Sequence, residues 1–161
     1  MKHVTIYTDG ACIGNPGPGG YGAVILFGQY RKEISGGYRQ TTNNRMEILA
    51  AIRALEALNE PCEVVLHSDS EYVVNAMKKG WAKQWQAQGW KRGKQGRAAN
   101  PDLWERLLNL TATHRVTFKW VPGHRGITEN ERCDELANQA ARGEKLCIDV
   151  GYERPTPLPE A

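Results

Sequence analysis

The order in which hydrophobic periods follow one another limits the fold of this chain more than any other feature. Val4-Thr5-Ile6-Tyr7-Thr8 alternates apolar and polar residues with the two-residue period of a strand and stops at Asp9-Gly10. Residues 22–27 are an apolar run, Gly28 and Gln29 allow a turn, and residues 30–38 can return antiparallel. From Asn44 the period becomes helical, with Ile48, Ile52, Leu55 and Leu58 on one face and Pro61 beyond the end. Strand and helix then alternate. Residues 63–68 read as a buried strand ending at Asp69, 72–77 as a helix, and a helix starts at Pro101-Asp102 and runs through Leu103, Leu107, Leu108 and Leu110. Residues 116–121 form a strand ended by Pro122-Gly123, and a last helix carries the stripe Cys133, Leu136, Ala137 and Ala140. Asn44 with Glu47, and Thr128 with Glu131, have the spacing of capping boxes. Hairpins first and alternation afterwards predict an α/β fold: a mixed sheet with helices on its faces.

At 161 residues the chain has the length of one domain. A domain of this size buries roughly 68–70% of its unfolded surface, enough for a core without disulfide or metal staples. The expected organisation is one domain over 1–143, including a protrusion at about 80–100, and a loosely ordered Pro-rich tail over 144–161. No apolar run reaches the ~18 residues of a membrane span, and the N-terminus lacks the features of a signal peptide, so a cytoplasmic protein is expected. Cys12, Cys62, Cys133 and Cys147 are too scattered for a zinc site or a redox pair. No large apolar face is left over, which predicts a monomer.

The formal net charge of +3 hides an asymmetry. No acidic residue lies between Glu71 and Asp102, whereas Lys78, Lys79, Lys83, Lys91, Arg92, Lys94 and Arg97 all do, leaving the rest of the chain net acidic. Trp81, Trp85 and Trp90 are interleaved with these cations. Rings that stack on bases or sugars, beside cations that meet phosphates, suit a nucleic-acid strand. A solvated basic helix face is the alternative. The segment Gly17-Pro18-Gly19-Gly20-Tyr21-Gly22 fits G-x-G-x-x-G, but it leads into a strand instead of a helix, and Pro16 and Pro18 remove amide donors, so it is no dinucleotide site. It reads as a tight strand connection whose glycines let another element approach the backbone.

Four acids sit at informative places: Asp9 at the end of the first strand, Asp69 at the end of the strand over 63–68, Glu47 in the first turn of a helix, and Asp134 on the last helix. Parallel strands whose carboxyl ends face one crevice would bring Asp9 and Asp69 together. Converging carboxylates need positive charge, and hard cations with oxygen ligands, Mg²⁺ or Mn²⁺, supply it. Each acid also has an ordinary structural explanation: a turn at Asp9, a capping box at Glu47, a cap at Asp69, a surface acid at Asp134. His124, between Gly123 and Arg125, is an exposed loop histidine in isolation and a proton carrier beside a metal site.

With these residues in view, the chain resembles the bacterial type 1 ribonucleases H. The resemblance rests on Tyr7-Thr8-Asp9-Gly10 with Gly14-Asn15-Pro16-Gly17-Pro18-Gly19-Gly20-Tyr21-Gly22, Thr41-Thr42-Asn43-Asn44-Arg45-Met46-Glu47, Ser68-Asp69-Ser70, and Gly123-His124 with Asn130-Glu131-Arg132-Cys133-Asp134-Glu135-Leu136-Ala137, in the family's order. It implies a ribonuclease H-like fold with a five-stranded mixed sheet, three antiparallel strands then two parallel, flanked by helices. It also implies endonucleolytic hydrolysis of the RNA strand of an RNA–DNA hybrid, leaving 5′-phosphate and 3′-hydroxyl ends. Asp9, Glu47, Asp69 and Asp134 would hold two Mg²⁺ ions, for which Mn²⁺ can substitute, one activating a water and the other stabilising the leaving oxygen. His124 would move protons or assist product release. Cys12, Asn15, Asn43, Asn44 and Glu71 would line the hybrid's minor groove, and Thr42 with Asn15 would hold a DNA phosphate. The segment with Trp81, Trp85, Trp90, Lys91 and Arg92 would be the family's basic protrusion, with Trp81 beside the DNA strand.

Two departures from the family pattern carry expectations of their own. Glu71 stands where the bacterial pattern has Gln, and an ionised carboxylate accepts but does not donate hydrogen bonds and repels phosphate. Between Trp85 and Trp90 the chain reads Gln86-Ala87-Gln88-Gly89, less basic than the pattern, which predicts weaker hybrid affinity and a shallower salt dependence than in a lysine-rich relative.

Overall fold

Three antiparallel strands, β1 (Lys2–Cys12), β2 (Gly17–Phe27) and β3 (Tyr30–Thr41), form one half of the sheet. Strands β4 (Cys62–Ser68) and β5 (Arg115–Trp120) extend it in parallel from the β1 side. This computed structural model describes residues 1–91, 99–123 and 125–155. The three-then-two arrangement matches the expectation, but the sheet has a sixth strand: β6 (Leu146–Cys147) pairs parallel with Gly37 and Tyr38 of β3, giving the order β5-β4-β1-β2-β3-β6.

Helices α1 (Asn43–Glu56), α2 (Glu71–Lys78), α3 (Trp81–Ala87) and α4 (Pro101–Thr113) enclose the larger core with one face of the sheet. Val4 and Ile6 of β1, Ala23 and Ile25 of β2, and Val64 and Leu66 of β4 point into it, meeting Ile48, Ile52 and Leu55 of α1 and Trp104 and Leu107 of α4. The opposite face takes α5 (Thr128–Ala141), which covers Val24 with Cys133 and Leu136. Strand β2 is therefore buried on both faces, which is why its sequence is a continuous apolar run with no alternation. Each fully buried Ile or Leu contributes about 1.5–3 kcal/mol.

The glycine-rich segment serves α5. A Cβ built on Gly20 would lie 2.3 Å from the Ala137 carbonyl oxygen, one on Gly22 2.5 Å from that of Cys133, and one on Gly37 2.3 Å from that of Ala140. The helix backbone thus rests directly on bare strand backbone. The turn before β2 needs a left-handed residue, supplied by Gly14 with φ 77°, and closes through a bond from Ile13 N–H to Pro18 O of 2.8 Å.

Neither capping box forms. Thr42 caps α1, its side chain accepting from Arg45 N–H at 3.2 Å, so Glu47 is free to turn toward the sheet. Ile127, without a side-chain cap, precedes α5, while Glu131 accepts from Gly126 N–H at 3.1 Å. Ser70 rather than Asp69 caps α2, accepting from Val73 N–H.

The tail expected to be loose is docked as far as residue 155. After β6 comes a single turn, α6 (Val150–Glu153), capped by Asp149. Arg39 holds Glu153 through two bonds of 3.0 and 2.9 Å, and Asp149 is buried on Arg45. Polar side chains do most of this anchoring, so no hydrophobic period announces it. Pro157, Leu158 and Pro159 lie outside the described residues.

Candidate active site

The β1–β4 register pairs Thr8 with Ser68, so Asp9, the next residue of β1, lies beside Asp69, the first residue past the end of β4. Glu47 reaches the same place because α1 crosses β1 at Gly10: a Cβ there would lie 2.5 Å from Glu47 N. The Gly10 amide donates to Asp9 Oδ1 at 2.9 Å and also to Glu47 Oε1, tying the two carboxylates to one backbone group. One carboxylate oxygen from each of Asp9, Glu47 and Asp69 lies within 4.8 Å of the others. Asp134, on α5, lines the same cleft from the opposite face, together with Asn138, whose amide donates to Asp134 Oδ1 at 3.2 Å. The sequence reading missed Asn138; its i, i+4 spacing from Asp134 on a helix was the available signal.

Electrostatically the cluster is uncompensated. Asp9 and Glu47 are 5% and 4% exposed, and among the described residues no Lys or Arg pairs with the four acids. Burial, then the negative charges of Asp69 and Asp134, pushes Asp9 up to about 7 despite its hydrogen bond with Glu47. Burial and the Asp9 charge raise Glu47 well above the ordinary carboxylate range. A donor set made only of carboxylate oxygens fits a hard divalent cation, whose charge would remove the reason for both shifts.

The expected substrate contacts divide into groups. Cys12 and Asn43 line the acidic cleft itself. Asn15 is joined to them, its Oδ1 accepting from Asn43 N–H at 3.0 Å, and Thr42 and Asn44 flank Asn43 at the start of α1. Glu71 is exposed at the first position of α2, two residues beyond Asp69. In the tryptophan segment, Trp81 is 37% exposed with Lys79 Nζ 5.3 Å above its ring. Trp85 is half-buried against Trp104, with ring centroids 6.0 Å apart. Trp90 corrects the expectation: it is 8% exposed and belongs to the main core, because a bond of 2.7 Å from its N–H to Trp85 O folds the chain back over α3. It presents no face for a base. Lys91 is exposed. Arg92, Lys94, Arg97 and His124 lie outside the described residues. The loop that leads to His124 starts at the acids, since a Cβ on Gly123 would lie 2.7 Å from Asp69 Oδ2.

Known proteins give the same picture. The RNase H family model matches residues 1–142. The chain belongs to the RNase H family. It is 64% identical over 152 residues to a ribonuclease H of Syntrophus aciditrophicus, covering 94% of this chain and 88% of that one. With the ribonuclease HI of a Synechocystis strain it shares 58% over 150 residues, covering 92% and 94%. Among solved structures, LC9-RNase H1, described as a type 1 RNase H with the type 2 active-site motif, superposes with a TM-score of 0.79 at 34% identity, covering 95% of this chain and 80% of that one. LC11-RNase H1, solved in complex with an RNA/DNA hybrid, gives 0.61 at 32%, covering 86% and 96%. RNases H are metal-dependent nucleases, and this RNase H is accordingly a hydrolase of nucleic acid. Among its described residues no helix is long and apolar enough to cross a membrane.

Proposed function

We propose that the protein is an endoribonuclease that hydrolyses the RNA strand of RNA–DNA hybrids with Mg²⁺, leaving 5′-phosphate and 3′-hydroxyl ends. The observation that carries this reading is the cleft in which buried, unpaired Asp9 and Glu47 meet Asp69 and Asp134. Asp9, Glu47, Asp69 and Asp134 would hold two divalent ions, which would supply Lewis acidity to lower the pKa of the attacking water and stabilise the leaving oxygen.

The chain's own groups do the rest. Asp9, with the Gly10 amide on one oxygen, and Glu47 are rigid ligands fixed by burial; Asp69 and Asp134 are the more accessible pair. Cys12, Asn15, Asn43 and Asn44 face the hybrid's minor groove, where short polar side chains and backbone groups can sense the 2′-hydroxyl that separates RNA from DNA. Thr42 with Asn15 takes a DNA phosphate. Trp81 packs on the DNA strand, with Trp85 behind it and Lys91 and Arg92 meeting phosphates. Glu71 weakens the minor-groove contact at its position. His124 moves protons at the leaving or attacking oxygen. The protein acts as a cytoplasmic monomer in this reading.

The test is cleavage of a labelled RNA–DNA hybrid with Mg²⁺, with EDTA, and by Asp9→Asn, with RNA–RNA and DNA–DNA duplexes as controls. Hybrid-only cutting that disappears in the EDTA and Asp9→Asn arms is the expected result. Binding without cutting under every divalent metal, or efficient cutting of duplex DNA, overturns the reading.

A further inference from the structure

The docked tail meets the rest of the protein at one arginine. Arg45 is the third residue of α1, and its five N–H groups are all engaged. Nε and Nη2 donate to Asp149 at 2.8 and 2.9 Å, Nη1 and Nη2 to Asp102 at 2.9 and 2.7 Å, and Nη1 also to Asn100 Oδ1 at 3.3 Å. Asp149 adds a contact unrelated to charge: its Oδ2 accepts from Thr41 Oγ1 at 2.7 Å. Arg45, Thr41 and Asp149 are 3%, 0% and 7% exposed, so the bonds among these three are shielded from water, whereas Asp102 is exposed. The tail has been fitted closely to them. A Cβ on Gly151 would lie 1.9 Å from Asp102 Oδ2 and 2.6 Å from Arg45 Nη2.

Thr41 and Arg45 bracket Thr42, Asn43 and Asn44, the turn assigned above to the nucleic acid. Beyond the backbone bonds that start α1, such as Met46 N–H to Thr42 O at 3.1 Å, its other side-chain supports are weaker: the Thr42 cap on Arg45 N–H at 3.2 Å, the exposed Asn15–Asn43 bond, and a long Cys12 Sγ contact to Thr41 O of 3.5 Å. A carboxylate that grips the residue before the turn and the residue after it fixes where the turn's side chains point. We propose that Asp149 is a positioning residue for substrate: through Thr41 and Arg45 it holds the 42–44 turn in the geometry that meets the hybrid, making the C-terminal segment part of the binding surface without touching nucleic acid. This rests on the assignment of that turn to substrate.

Three variants of the full chain probe the linkage differently. Asp149→Asn removes the charge. Thr41→Val removes only the hydroxyl and keeps every ion pair. Gly151→Ala wedges the tail off Arg45 without altering charge. Each is expected to raise KM for the hybrid about three- to tenfold with kcat within about twofold, since the turn orients substrate while the reacting groups lie elsewhere. The Mg²⁺ concentration for half-maximal rate stays as in the native protein. Thr41→Val combined with Asp149→Asn should raise KM no more than the larger single change, because both cut one linkage. Leu55→Ala, a core change ten residues along α1, controls for stability and should lower the melting temperature with KM unchanged.

Amide hydrogen exchange supplies a readout that needs no substrate: exchange at Asn43 and Arg45, whose N–H groups donate to Asn15 and Thr42, should quicken in all three variants while exchange at Ile6 and Leu66 does not. KM within twofold of native for all three at a temperature where each remains folded, or unchanged exchange in the turn, overturns the proposal. If the native chain binds no hybrid, the assignment of the turn to substrate falls and the proposal with it. If the native chain binds hybrid and the variants bind it equally well, only the positioning role of Asp149 falls.

Discussion

The N-terminal part of α1 points in two directions, and the acids it meets there are treated in opposite ways. On one side Arg45 lies between Asp102 and Asp149 with its five donors engaged. On the other, two residues along the helix, Glu47 lies between Asp9 and Asp69 with no cation among the described residues. Both clusters contain buried charge, and burial of charge costs several kcal/mol per ion unless it is compensated. At Arg45 the chain supplies the compensation itself, so that cluster is complete and structural. At Glu47 none of the described residues supplies it, which leaves the cluster open to a cation from solution.

The most drastic way to break this contrast is to neutralise one acid of the incomplete cluster. Asp9→Asn should lower hydrolysis on the order of 10³-fold or more, the loss of several kcal/mol of metal-dependent stabilisation. Above about pH 7, where Asp9 is ionised, the same variant should melt higher than the native protein in EDTA, since it removes a repulsive buried charge; a lower melting temperature there would show that Asp9 is compensated after all. At the complete cluster the sign reverses. Arg45→Ala should destabilise by roughly 3–5 kcal/mol, because the buried Asp149 carboxylate is left without its charged partner, as chemical denaturation would measure.

Acidity separates the two clusters further. In the fold Asp9 keeps its proton to about pH 7, whereas unfolded it loses it near pH 4, so across that interval the folded state binds more protons. Its contribution to the stability of the metal-free protein therefore falls as pH rises from about 4 to about 7, and divalent-metal affinity climbs over the same window and then levels off. Burial would raise Asp102 too, but the hydrogen bonds and charge of Arg45 outweigh it and hold Asp102 below the ordinary range. Its contribution is present above about pH 4 and is lost as pH falls through its lowered folded value. Melting curves against pH, with EDTA and with Mg²⁺, would resolve the two, and Asp9→Asn should remove only the first trend.

Two smaller effects lie outside both clusters. Trp81→Ala should weaken hybrid binding by about 1–3 kcal/mol if the exposed ring packs on the DNA strand, with the Mg²⁺ dependence unmoved. Glu71→Gln should tighten binding a few-fold by removing an acid close to phosphate and restoring a donor; filter binding in Ca²⁺ would read both.

What could be read from the sequence follows the same division. The order of strand and helix periods contained the three-then-two sheet, and Asp9 and Asp69 stood at ends of strands that topology brings together. The glycines of β2 were read as places of close approach, although the approaching element, α5, could not be named from spacing alone. Trp90 misled because a ring within a basic segment looks exposed in sequence, while a backbone bond to Trp85 turns it inward. The tail misled because its attachment depends on pairings between residues more than 100 positions apart, such as Asp149 with Arg45 and Glu153 with Arg39, and periodicity carries no trace of those.

The glycines beneath α5 also decide the width of the cleft. With Gly20, Gly22 and Gly37 bare, the helix carrying Asp134 stands off the sheet by the thickness of peptide alone. Peptide has no rotamers, so at these three points no side chain can swing to open or narrow the gap. A single methyl group at Gly22 would act as a shim, lifting the fourth carboxylate away from the other three without replacing any of them.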